Sequence, residues 1–471
     1  MTSNGISFNR LLVGLLFGSI FLTACLMPAQ SDTYWHLRAG ADLWRTHRIP
    51  LVDHYSYTAA GRFWPNHEWL WQALSYGLFR AGGMPLLTGA AALVVTSAFA
   101  LAYRLMVGAT TTRIALMMPG VPLAASVWAL RPQIVSLALL ALTVTLIARE
   151  RTRLLPFVFV VWANLHGAVA LGVAVVAAAA VAAALKARGG EDADRKRAWR
   201  LALLTPICAA ATAVTPLGPR LWGFVFESMR RSHETLVVEW MPSIPTGPVE
   251  IGFWVVAAAF AIVLVRRWRS LTSWSDLAVV AAAVVLLPLA VRAVRNVSPF
   301  VLLAIPAASR LLGPEFRLRR AAPVAGVDHR GVNLALLSGF ALLGVAAVGV
   351  AWAASLPLLG WRPLSAGVVA AVRGCPGPIY NRYNEGGYLI WFAPATPVFI
   401  DSRQDPYPVD FVLDAVGNEA RGSYREMFAR YGVRCALLPL TSPTLRRLRE
   451  DGWRARFTDE RWAVLVAPDA T

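Results

Sequence analysis

The chain has 471 residues, 57% hydrophobic and only 15% charged, with a mean hydropathy of +0.52, a balance that excludes an ordinary soluble protein and places it in a membrane. Its formal charge of +18 would suit a polyanion, yet the basic residues cluster between apolar runs of helix-spanning length, so nucleic acid is not a partner. Eighteen Trp, most of them at the ends of apolar runs, fit the aromatic belts of a bilayer protein, and four Cys are too few for a disulfide scaffold.

Apolar runs able to cross the bilayer lie near residues 10–28, 84–107, 112–130 and 132–148, then 154–186, 198–214, 250–266, 274–291, 296–311 and 331–355. The stretch 154–186 is too long for one span and carries Asn164-Leu165-His166-Gly167, so it splits there, and about eleven spans result. Leu22-Thr23-Ala24-Cys25 has the form of a lipoprotein cleavage box, but apolar residues continue through Pro28, which suits an uncleaved anchor. With the N-terminus inside, the arginines at 104 and 113, 149–153, 266–269 and 310–320, and the basic run from Lys186 to Arg200, all share one side, which is therefore cytoplasmic. The expected domains are a membrane domain, 1–355, with a first outer loop at 29–83, and an extracytoplasmic domain, 356–471. Six of the seven His, at 36, 47, 54, 67, 166 and 233, then fall on the outer face, as an outward-facing active site requires.

The first outer loop is the richest segment, holding Asp32, Asp42, Asp53 and Glu68, four His and five Trp. Tyr34, Leu37, Ala41 and Trp44 recur at helical spacing with charged residues between them, predicting a surface helix over 33–46. A second helix is predicted from His67 to Phe79 with Asn66 as its N-cap.

A first span followed by an acidic outer loop with two surface helices, many further spans and an outer C-terminal domain resembles the GT-C superfamily of membrane glycosyltransferases, which includes protein mannosyltransferases and aminoarabinose transferases. The segments DTYWHLRAG, VDHYSYTAAGRFWPNHEWL, RPQ, WANLHG, TPLGP, RNVSPF and GGYLIWF…VFIDSR also resemble a widespread set of uncharacterised bacterial membrane proteins. The resemblance implies a multi-spanning helical bundle, a polyprenyl-phosphate-linked sugar donor, a glycan, lipid or protein acceptor, and a carboxylate in the first outer loop that acts as base toward the acceptor. Asp32 has that place. Some GT-C enzymes use a metal, but the irregular spacing of the His and Asp here matches no zinc pattern, so no cofactor is expected and a divalent metal stays an alternative.

Chemically, a hydroxyl becomes a competent nucleophile when a carboxylate or His takes its proton, and cations stabilise the departing phosphate. Asp32 and His36, four residues apart, share a helix face, although Asp32 would equally serve as the N-cap. His67 and Glu68 join them as catalytic candidates, since Trp64, Pro65 and Asn66 alongside suit sugar stacking and hydrogen bonding. Candidate substrate-binding residues are Asp53 and His54, in a loop between Pro50 and Gly61; Arg131, at an abrupt turn between spans; Asn164 and His166, at the outer surface; and Arg292 and Arg295, at a span end against the positive-inside trend. Bland roles stand beside these: turn formation, snorkelling and interhelical hydrogen bonding. Glu239 reads as a solvated loop acid.

From about residue 361 acids return and short apolar runs alternate with helical patterns. Strands are predicted at 397–400, 435–438, 454–458 and 462–467, and helices at 363–373, 420–431 and 442–450, making a small α/β domain able to fold alone. Asp401-Ser402-Arg403 would then lie at a strand's C-terminal edge, as a ligand site or as a turn held by the Asp side chain. Cys375 and Cys435 both fall outside, where they could pair. The sequence thus points to a membrane glycosyltransferase; a transporter or a non-catalytic scaffold are the rivals, although no repeated halves of the transporter kind are visible.

Overall fold

The computed structural model describes residues 5–234, 238–314, 316 and 329–469. The chain divides into two compact units: Met1–Met27, Pro85–Trp222 and Leu236–Ala354 form the first, and Pro28–Met84, Gly223–Thr235 and Ser355–Thr471 the second.

The first unit is helical. Among the described residues of the chain, five helices are long and apolar enough to cross a membrane: Trp69–Leu105, Val169–Ala187, Pro248–Ser270, Trp274–Arg292 and Arg330–Ala353. Phe8–Ala24, Gln133–Ala148 and Thr152–Leu165 are shorter apolar helices. The protein is thus an integral membrane protein, and Trp69–Leu105 is itself kinked at Gly82 and Gly83, whose backbone is not helical. The expected span 112–130 is broken at Met118 and Pro119 into the short helices Thr110–Met117 and Gly120–Ala125, since proline lacks the N–H that a helix interior needs. The expected break within 154–186 is present, with His166 in extended conformation between Leu155–Leu165 and Val169–Ala187. Val297–Leu312 is buried along nearly its whole length and packs against Trp274–Arg292, with Phe300 edge-on to Phe253 and Phe260. Arg330–Ala353 instead turns Leu342, Leu343 and Val350 outward, an arrangement that lipid stabilises and water would not.

The second unit is an α/β sandwich assembled from three separate stretches of chain. Its strands are β1 (Ile379–Asn381), β2 (Cys435–Pro439), β3 (Arg454–Thr458) and β4 (Trp462–Val466), in sheet order β1-β2-β4-β3. β1 runs parallel to β2; the other pairs are antiparallel, with a bulge between Ala455 and Phe457. Side chains alternate faces along a strand, so Cys435, Leu437, Trp462 and Val464 enter one core while Ala436, Leu438, Ala463 and Leu465 enter another. Burial on both faces explains why these strands read as continuous apolar runs. The first core is completed by Trp35, Ala39, Tyr55 and Trp64, and the second by helices Val409–Arg421, Arg425–Tyr431 and Pro443–Glu450. The unit therefore takes in the expected outer loop as well as residues of the expected domain 356–471. A Cys375–Cys435 disulfide, with a Cα–Cα distance of 5.9 Å, ties β2 to the segment before β1.

Residues 397–400 are not a strand of this sheet, contrary to expectation. Their peptide groups are matched by the Asn381 side chain, which accepts from Phe399 N and donates to Ile400 O, and by Tyr55 and Tyr57, which flank Val398. A helix at Val409–Arg421, which the sequence reading left out, precedes Arg425–Tyr431. Gly387 permits the closest approach within the unit: a Cβ there would meet the Ser31 carbonyl oxygen at 2.1 Å, and the Gly387 N–H donates to Ser31 Oγ at 3.0 Å.

Candidate functional site

The helix Ser31–Thr46 starts with the Thr33 hydroxyl accepting from the Gln30 N–H at 3.0 Å, so Asp32 is not its cap. Asp32 lies instead in the first turn, where the helix dipole favours an anion. Its Oδ1 accepts from Trp35 Nε1 at 3.2 Å and from the Ser402 hydroxyl.

One turn further on, the buried His36 ring stacks on Trp35 and points Nε2 at Glu68 Oε2, 3.6 Å away. His67 points its own Nε2 at the other Glu68 oxygen, 3.7 Å away. Glu68 thus stands between two imidazoles at separations longer than hydrogen bonds. His67 Nδ1 lies 3.1 Å from the Pro65 carbonyl oxygen, which can only accept, so Nδ1 carries the proton. Burial pushes the imidazole pKa down to about 4 against that hydrogen bond, leaving the ring neutral near pH 7 with a bare Nε2. A bare imidazole nitrogen and a carboxylate oxygen both accept, so the gap between them suits a donor such as a hydroxyl.

Asn66 does not cap the following helix, which begins at Trp69. Its amide is locked in a reciprocal pair with Gln72, at 2.9 and 2.6 Å, and both residues are buried. Trp64 is 2% exposed, with the Arg403 guanidinium 4.9 Å from its ring centre and Trp35 and Tyr55 at its edges. Its faces are closed to a sugar, because packing has taken the surface that stacking would need.

Asp53 also lies inside. It accepts from the Tyr55 and Ser56 N–H groups at 3.2 Å, from Ser56 Oγ at 2.5 Å and from Arg403 Nη2 at 2.5 Å. Arg403 reaches Asp401 through Nε at 2.8 Å and Nη2 at 2.6 Å, and Tyr407 donates to the same Asp401 at 2.7 Å. With Asp401 and Arg403 closed to solvent, and the Arg403 N–H bonded to Asp401 Oδ1 at 2.9 Å, the turn reading of this segment is the one realised.

Asp42 gathers Arg38 at 3.0 Å, Arg45 at 2.8 Å, the Tyr55 hydroxyl at 2.9 Å and the exposed His54 at 3.5 Å. Burial opposes its ionisation, but the bonds from His54 and Tyr55 and the Arg38 guanidinium outweigh it and hold the carboxyl well below the usual range. Sequence reasoning missed Asp42, Ser402 and Arg403 as partners of these groups. The Arg38–Asp42 spacing of four was the one visible sign.

In the first unit Arg131 pairs with Glu239, which is therefore an ion-pair partner rather than a solvated acid. The Arg295 guanidinium sits 4.3 Å from the ring centre of the neighbouring Trp240, and Arg292 is exposed. Asn164 donates to the Val160 and Val214 carbonyls at 2.8 and 2.7 Å, and His166 Nδ1 lies 2.8 Å from the Ser136 hydroxyl that also accepts from Trp162. These bonds account for the burial of both side chains. Among the described residues no group of three or more His, Cys, Asp or Glu is arranged to hold a metal ion.

The sequence matches no described protein family and no curated protein. Its fold, however, is similar to solved structures. ArnT from Cupriavidus metallidurans in the apo state is 14% identical, with 97% of each chain covered and a TM-score of 0.54. The oligosaccharyltransferase of Archaeoglobus fulgidus in the apo form is 10% identical, with 91% of this chain and 69% of that chain covered and a TM-score of 0.52. Archaeal oligosaccharyltransferase AglB from Archaeoglobus fulgidus, in complex with an inhibitory peptide and a dolichol-phosphate, is 10% identical, with 92% of this chain and 70% of that chain covered and a TM-score of 0.51. At 10–14% identity these likenesses show that the chain shares the fold of these solved structures.

Proposed function

We propose that this protein is a membrane glycosyltransferase that moves a sugar from a polyprenyl-phosphate-linked donor to an acceptor hydroxyl on the outer face of a bacterial inner membrane. The observation that carries the reading is Asp32 in the first turn of Ser31–Thr46, followed one turn later by His36 against Glu68 and His67. The fold shared with ArnT and AglB supports it, as does the dolichol-phosphate held by the latter.

Asp32 serves as the base. Bonds from Ser402 and Trp35 stabilise its charged form and aim it, while the helix N-terminus favours the anion. It takes the hydroxyl proton as the acceptor oxygen bonds to the anomeric carbon and the bond from that carbon to the phosphate oxygen breaks. His36, Glu68 and His67 hold the acceptor by accepting from its donors, which the neutral His67 can do at physiological pH. The candidates for the donor phosphate, Arg131, Arg292 and Arg295, belong to the first unit, where Arg131 is paired with Glu239. In this reading the N-terminus is cytoplasmic and the second unit extracytoplasmic, a compartment that permits its disulfide.

Purified protein offered polyprenyl-phosphate-linked sugars tests the reading. Asp32→Asn is expected to abolish turnover while keeping donor binding, and Arg131→Ala to weaken donor binding. Failure of the native chain to bind any lipid-linked sugar would overturn the transferase reading.

A further inference from the structure

The second unit carries a groove of about 860 Å³ that the proposed reaction does not use. It is lined from the helices Val409–Arg421 and Arg425–Tyr431 with Arg447 and Asp451 beyond them, and its volume lies within the roughly 300–1,000 Å³ typical of small-ligand sites.

The lining is aromatic and hydrogen-bonding rather than aliphatic. Phe411, Tyr424 and Tyr431 supply the rings. Tyr431 is braced edge-on by Phe399 and Phe411, with ring centres 5.4 and 5.6 Å away, and the buried Tyr424 packs tilted against Phe428 at 4.7 Å. Rings held this way lose little freedom when a ligand lands on them. Along one helix face Asp410 and Asp414 set two carboxylates one turn apart, while Asn418, a turn further on, already accepts from Arg421 and Ser423 at 3.1 and 3.0 Å. Glu426 is bonded to Arg430 at 3.1 Å, Asp451 to Arg425 at 2.5 Å and Arg447 to Glu450 at 3.0 Å. Asp410 and Asp414 alone among the lining acids have no hydrogen-bond or ion-pair partner among the described residues, although like charges one turn apart destabilise a helix.

From this geometry we infer that the groove is a binding site for a neutral oligosaccharide. The C–H faces of a sugar ring match the partly exposed rings of Phe411 and Tyr431, and hydroxyl groups donate to the Asp410 and Asp414 carboxylates. A lipid tail finds too little aliphatic surface, and a polyanion meets arginines already paired. The inference stands on this groove alone and does not need the transferase reading.

The full chain in nanodiscs, titrated with a panel of maltohexaose, cellohexaose, mannohexaose and chitohexaose by calorimetry, tests it. Asp410 and Asp414 are exposed, and Ala suits a helix, so Asp410→Ala/Asp414→Ala keeps the fold; an unchanged melting temperature checks this. At least one hexasaccharide is expected to bind, with affinity falling about tenfold or more in the double variant, as loss of charge-assisted hydrogen bonds requires. Binding unchanged in the variant, no panel member binding up to about 10 mM, or binding only by an Arg-rich peptide that vanishes at high salt would each overturn it.

Discussion

Replacing Arg403 by Met keeps most of the volume and removes the charge at the centre of the second unit. The Arg403 side chain is 0% exposed, as are those of Asp53 and Asp401, which share its guanidinium at 2.5 and 2.6 Å. Breaking a buried pair costs about 3–5 kcal/mol because the remaining charge is stranded, and two carboxylates are stranded here, so the upper end applies. Loss of the contacts with Tyr55 and Trp64, each 4.9 Å from the guanidinium carbon, adds about 1 kcal/mol. For a domain of about 150–250 residues each kcal/mol moves the midpoint by roughly 2–4 °C, so melting should fall by about 10–20 °C. Tryptophan fluorescence in detergent, at one fixed heating rate for every variant, measures this. Adding Asp53→Asn and Asp401→Asn should recover part of the loss by removing the stranded charges. A midpoint within about 2 °C of the native protein would refute the view that this cluster holds the unit together.

Three other outcomes follow from the same geometry. Cys375→Ser with Cys435→Ser opens a loop of sequence separation 60 and should cost about 4 kcal/mol, read as an earlier melt, with the native pair resistant to thiol labelling until reduced. Burial pushes the Asp405 carboxyl up to about 7 against the pull of Arg231 and Arg403; a raised folded pKa lets the native state hold its proton, so stability falls as pH rises from 4 through 7. Asp405→Asn should therefore raise the melting temperature at pH 8 and leave it unchanged at pH 4, and equal shifts at both would refute the assignment. His67, pushed down to about 4, resists protonation when folded, so acidification from pH 7 to 5 should cost on the order of 2 kcal/mol that His67→Asn removes; an identical pH slope in the variant would refute this.

The membrane character and three of the four strands were legible because each rests on local composition or period. The break at Asn164–His166 was legible for the same reason, since polar groups interrupt an apolar run. What escaped was long-range. The segment Pro397–Ile400 has strand composition, but its ladder partners are an Asn side chain and a loop from far away in sequence. Trp64 read as a sugar platform because nothing near it in the chain reveals that Arg403 covers one face. Asp32 and Glu68 were singled out by residue type and position, whereas the bond from Ser402 to Asp32, across 370 residues of chain, could not be read that way.

The second unit draws its core from Trp35, Ala39, Tyr55 and Trp64 and from strands that begin only at Ile379. During synthesis the helix Ser31–Thr46 emerges hundreds of residues ahead of the sheet it packs against, while the intervening spans are still being inserted. An early-made apolar surface must therefore wait for the last part of the chain, a contact of very high sequence separation and so slow to form. Stop codons or cleavage late in the chain would strand that surface, and truncated products should be removed by quality control rather than persist as a membrane domain without its tail.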